Sequence, residues 1–99
     1  MLNIVKSAEN GKLTVALEGR LDTTTATELE TELKASMDGV SALVIDLEKL
    51  EYMSSAGLRV LLTAQKQMMK QGGMTVTHVN ETIMEIFEVT GFSDILTIC

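Results

Sequence analysis

The 99-residue sequence has no proline and no tryptophan, a single cysteine, a single histidine and only three aromatic side chains. One thiol cannot close an internal bridge, and Cys99 stands at the last position, so a disulfide framework is excluded and nothing argues for an oxidising compartment. Tyr52, Phe87 and Phe92 are too few to build base-stacking platforms. Positive charge is scarce as well. Eight Lys and Arg against fourteen Asp and Glu leave a net charge of −6, which repels nucleic-acid phosphates and anionic lipid surfaces. The strongest apolar run, Ala42-Leu43-Val44-Ile45, is far short of a membrane span, and the opening MLNIVKSAENGK lacks the apolar stretch of a secretory signal. The expectation is a cytoplasmic protein with no nucleic acid and no membrane as partner.

Catalytic patterns are missing too. The sequence contains neither a Gly-x-x-x-x-Gly-Lys-Ser/Thr phosphate loop nor a Gly-x-Ser-x-Gly elbow. A serine nucleophile needs a base, and His78 lies on the far side of a helix in sequence from the serines discussed below. With no second histidine and no neighbouring cysteine, His78 reads as a surface or half-buried imidazole, so no metal and no cofactor are expected. Asp46 falls in the middle of a strand rather than at its end, which suits a structural carboxylate and not the acceptor of a receiver domain. The chain is expected not to be an enzyme.

What is present is periodic almost from end to end. Apolar residues make up 45%, enough for the core of one domain. Leu2 to Ser7 reads as a strand, Asn10-Gly11 as a turn, and Leu13, Val15 and Leu17 as a second strand stopping near Gly19. Whether these two pair with each other is left open. A helix begins among Asp22 to Thr25, with Thr25 and Glu28 at capping-box spacing. It turns Ala26, Leu29, Leu33 and Met37 to one face and ends at Gly39. Ala42 to Leu47 is a near-continuous apolar run expected for a strand covered on both faces, followed by a linking stretch from Glu48 to Met53. A second helix starts at Ser54 or Ser55 and runs to about Gln71, closed by Gly72-Gly73. Met74 and Val76, with His78 and Val79 as candidates, form another strand. A third helix spans Glu81 to Thr90 before Gly91, and Phe92 to Ile98 forms a short helix or strand. The order β-β-α-β-α-β-α predicts an α/β fold with a mixed, mostly parallel sheet of four to five strands and three to four helices. Parallel strands would open the segments Gly19–Asp22 and Leu47–Ser55 onto one edge, where such sheets bind their ligands.

On that edge lies the least ordinary segment, Tyr52-Met53-Ser54-Ser55-Ala56-Gly57-Leu58-Arg59. One serine is explained as a helix cap. Gly57 in the first turn is costly for a helix and implies either close backbone approach at a binding surface or tight helix–strand packing. A phosphate on a serine here would add about −1.5 to −2 charges beside free amides and the positive end of the helix dipole, which tolerate it. Asp22 fits a cap of the first helix and a partner contact equally. Arg59 fits a solvated helix face better than a pair with an acidic partner or a phosphate. Most methionines read as core filler, with Met53 the exception because it borders the serines.

The segment resembles the Asp-Ser-Ser/Thr-Gly-Leu motif of anti-sigma factor antagonists, the bacterial STAS domains. Leu17-Glu18-Gly19-Arg20-Leu21-Asp22, Val44-Ile45-Asp46-Leu47 and Gly91-Phe92 resemble further family segments in the family's order, so the similarity covers nearly the whole chain, 1–99, as one STAS domain. The resemblance implies phosphorylation-controlled partner exchange. The unmodified protein binds an anti-sigma factor that is also a serine kinase and so frees a sigma factor; the kinase phosphorylates and releases it, and a serine phosphatase resets it. The family's phosphoacceptor falls on Ser55, with Ser54 as second choice, and its strand-end aspartate falls on Asp22. The implied partner surface is Asp22, Met53, Ser54, Ser55, Ala56, Gly57 and Arg59. Two departures stand out: Ser54 replaces the family's aspartate and Ala56 its second Ser/Thr. The alternative within the wider family is a standalone STAS subunit that binds a transporter ATPase without phosphorylation.

Overall fold

A computed structural model describes residues 2–99. It contains β1 (Leu2–Glu9), β2 (Lys12–Leu21), α1 (Thr23–Ser36), β3 (Ala42–Met53), α2 (Ser55–Met69), β4 (Met74–Thr77), α3 (Glu81–Thr90) and a short 3₁₀ turn at Phe92–Asp94. The four strands form one mixed sheet in the order β1-β2-β3-β4. β1 and β2 are an antiparallel hairpin, whereas β2, β3 and β4 run parallel. The hairpin answers the question of how the first two strands relate. Asn10 and Gly11 both take positive φ, at 50° and 81°, as a two-residue primed turn requires, and Asn-Gly is the pair that adopts it at least cost.

Buried side chains alternate along the strands: Leu13, Val15 and Leu17 on β2, Leu43, Ile45 and Leu47 on β3, Met74 and Val76 on β4. They join Leu29, Leu33, Leu61, Met68, Ile83 and Phe87 from the three helices in one core. The intervening Thr14, Ala16, Val44, Asp46, Thr75 and Thr77 are only half-buried. The expectation that the third strand is covered on both faces is therefore corrected. The sheet steps in one direction from β2 to β4, and right-handed crossovers made in one direction lay their helices on one side. The tail adds an isolated parallel bridge, Ile98 beside Val76, instead of a fifth strand.

Element boundaries also differ from expectation: α1 stops at Ser36, capped by Met37, instead of running to Gly39. β3 continues through Glu48–Met53, because those residues pair with β2 (Glu18 with Lys49, Gly19 with Leu50, Arg20 with Tyr52) across two register shifts. β4 ends at Thr77, and His78 follows at φ 55°, outside the strand.

Candidate functional site

The ends of β2 and β3 lie side by side. Leu21 pairs with Met53, and the Ser54 amide donates to the Leu21 carbonyl at 2.8 Å. Each strand then turns directly into a helix at the same edge, which brings Asp22 and Ser54 together as expected for parallel strands.

Asp22 is the N-cap of α1. Its Oδ1 accepts from the amides of Thr24 (3.0 Å) and Thr25 (2.9 Å), while Thr25 Oγ1 accepts from the Asp22 amide at 2.8 Å. The capping box is thus Asp22–Thr25, three residues earlier than the expected Thr25–Glu28. Thr25 plays the N3 role because its hydroxyl is buried and also donates to the Arg20 carbonyl at 2.9 Å. The Thr25 amide donated to the carboxylate holds the Asp22 carboxyl below its usual pKa; desolvation opposes it, and the Thr25 hydroxyl and the Thr24 amide add to the lowering.

The two serines separate in role. Ser54 is the N-cap of α2, and its hydroxyl accepts from the Gly57 amide at 3.4 Å. Ser55 is the first helical residue and is exposed. One hydroxyl is engaged by the cap and the next faces solvent at a helix N-terminus.

Met53 and Gly57 are not surface residues. Met53 is 2% exposed and belongs to the core, so its expected contact with a partner is corrected: the two register shifts against β2 break the alternation of β3 and leave Leu50 and Met53 facing inward with Leu47. Gly57 is buried, and a Cβ there would lie 2.6 Å from Leu21 Cγ and 3.1 Å from Met53 Cγ. Of its two readings, tight helix–strand packing is the one that holds. Absence of a side chain lets the first turn of α2 sit directly on the strand ends.

Ala56 is half-buried and Arg59 exposed. Both line a groove of about 270 Å³ between the first turns of α1 and α2, together with Thr23, Thr27, Glu30 and Thr63. The sequence reading missed the α1 side of this groove, and it missed Arg20, whose guanidinium lies over the Tyr52 ring at 4.6 Å one rung before the serine loop. Neither is visible without the pairing of β2 with β3. His78 Nδ1 lies 3.1 Å from Asp46 Oδ1, and Glu48 is close to both, so the lone histidine has carboxylate neighbours after all. No helix among the described residues is long and apolar enough to cross a membrane.

The family profile described as "Mlab, STAS domain" matches residues 4–97. Among curated proteins, BtrV of Bordetella bronchiseptica, assigned as an anti-sigma factor antagonist, is 38% identical over 91 residues, covering 90% of this chain and 78% of that protein. The anti-sigma-B factor antagonist of Bacillus subtilis is 33% identical over 95 residues, covering 95% of this chain and 86% of that protein. Among solved structures, an anti-sigma factor antagonist from Mycobacterium paratuberculosis superposes with a TM-score of 0.89 at 26% identity, covering 99% of this chain and 85% of that one.

Proposed function

Because the chain belongs to the STAS domain family, we propose that it acts as an anti-sigma factor antagonist switched off by phosphorylation of Ser55. In this reading the unmodified protein holds an anti-sigma factor that is itself a serine kinase. Its docking edge is Asp22, Ser54, Ser55, Ala56 and Arg59 with the groove between α1 and α2; Met53 and Gly57 shape that edge from beneath. The observation that carries the reading is the division of labour between the serines: Ser54 caps the helix, leaving the Ser55 hydroxyl exposed on the same edge. A kinase can reach such a hydroxyl. The added phosphate meets the unpaired amides of the first turn and the helix dipole, so the fold is retained. Outside the fold it brings about −1.5 to −2 charges to a surface shaped for a neutral one, and the partner is expelled. A serine phosphatase restores the hydroxyl. The function is that of a binding module, not a catalyst.

The test is a pull-down from cytosol with wild type, Ser55→Ala and Ser55→Asp. Ala is expected to keep the partner and Asp to lose it, with little change in Tm. Equal retention by both variants would remove the switch while leaving the binding role. A second reading, constitutive binding of a transporter ATPase by the same edge, is favoured by one feature: Ser54 occupies the position where the family usually has aspartate. It predicts that equal retention, with an ATPase in the captured material.

A further inference from the structure

We infer that His78, Asp46 and Glu48 form a three-ligand site for a divalent transition-metal ion, zinc being the fitting example. The three residues come from two segments that only the sheet order brings together. Asp46 pairs with Thr77 on the last rung between β3 and β4, and His78 follows immediately as β4 ends while β3 runs on. Donor atoms of the three side chains all lie within 4.8 Å of one another. His78 Nδ1 and Asp46 Oδ1 are 3.1 Å apart. Zinc bonds of about 2.0–2.1 Å in a tetrahedron place neighbouring donors roughly 3.3 Å apart. The His78–Asp46 pair, joined here by a hydrogen bond whose proton an ion would displace, is thus already near chelating separation, and a Glu48 carboxylate oxygen lies within 4.8 Å of both.

Three features make this arrangement suit a metal. The Glu48 amide donates to Asp46 Oδ1 at 3.0 Å, which fixes the carboxylate toward the histidine. Asp46 lies inside β3 and is paired with Thr77, the residue directly before His78, so the backbone beneath the pair is held. Asp46 and His78 side chains are 25% and 61% exposed, which leaves a path for the ion and for a water as fourth ligand. One imidazole nitrogen with two carboxylate oxygens selects zinc, nickel or copper over calcium, which takes six to eight oxygens. Neutral His78 would bind through Nδ1 with its proton carried on Nε2. Asp46 is seven positions before Met53 in β3, roughly 20 Å along an extended strand, so this site and Ser55 are independent.

The test is a calorimetric titration of the full chain, freed of any affinity tag, with zinc alone, alongside NMR of its single imidazole. One equivalent is expected to bind and to shift the ring resonances. His78→Ala and Asp46→Asn are expected to weaken binding by about tenfold or more, with unchanged circular dichroism as the folding control. Ser55→Asp is expected to bind zinc as wild type does, so this result stands or falls apart from the phosphorylation reading. Absence of binding at millimolar zinc, or binding by His78→Ala as tight as by wild type, would overturn the proposal.

Discussion

Gly57 is glycine because Leu21 occupies the place of its side chain. A Cβ would come within 2.6 Å of Leu21 Cγ, and Leu21 is fully buried and cannot yield outward. Gly57→Ala is therefore expected to destabilise by about 1–3 kcal/mol through overpacking, reduced by up to about 1 kcal/mol from better helix propensity. A urea titration checks this, and a stabilised variant would contradict the packing account. Asp22 gives a second prediction at this scale. Its carboxyl pKa is lowered in the folded chain, first by the Thr25 amide, so its contribution to stability is present above the ordinary carboxylate pKa of about 3.9 and is lost as pH falls through the lowered folded value. Asp22→Asn keeps an N-cap without the charge. The gap in Tm between wild type and this variant is expected to shrink as pH is taken from neutral to below the folded pKa; a gap that widens in acid would contradict the assignment.

Among the elements, α3 depends on one side chain more than its sequence suggests. Asn80 Oδ1 caps the Ile83 amide at 2.9 Å, while its Nδ2 donates to the Leu50 carbonyl at 2.8 Å, tying the helix start to the late part of β3. Asn80→Ala is expected to cost about 1–2 kcal/mol, since both the cap and the tie are lost; a change indistinguishable from zero by chemical denaturation would contradict it. The helices, the Gly91 stop of α3 and the parallel order of strands were legible in the sequence, because amphipathic period and breakers are local; α1 and α2 end two to three residues before their glycines, capped by Met37 and Lys70. The second half of β3 was not. Glu48, Lys49 and Glu51 interrupt the alternation, and what makes the segment a strand is pairing with β2 some thirty positions away. For the same reason the position of Ser55 at a strand-end edge could be read, whereas the burial of Met53 and the α1 wall of the groove could not. The carboxylates beside His78 were equally hidden, since Asp46 is separated from it by 32 positions.

At the scale of the whole molecule, three helices cover one face of the sheet, and the caps of α1 and α2, Asp22 and Ser54, stand at the edge where β2 and β3 end. The core lies beneath that edge, so its surface can change charge without the core being disturbed. The same separation places Asp46, Glu48 and His78 well away from Ser55. In the proposed switch a chain of net charge −6 gains further negative charge at Ser55, and the effect on a bound protein is local because exposed charges are screened within about 8 Å at physiological salt. The most direct measurement is the affinity of the captured partner for the unmodified chain and for the chain carrying phosphoserine at position 55, with Tm recorded on the same two samples. Loss of affinity with Tm nearly unchanged is the expected result; equal affinities, or a phosphorylated chain that loses its partner only because it has unfolded, would contradict it.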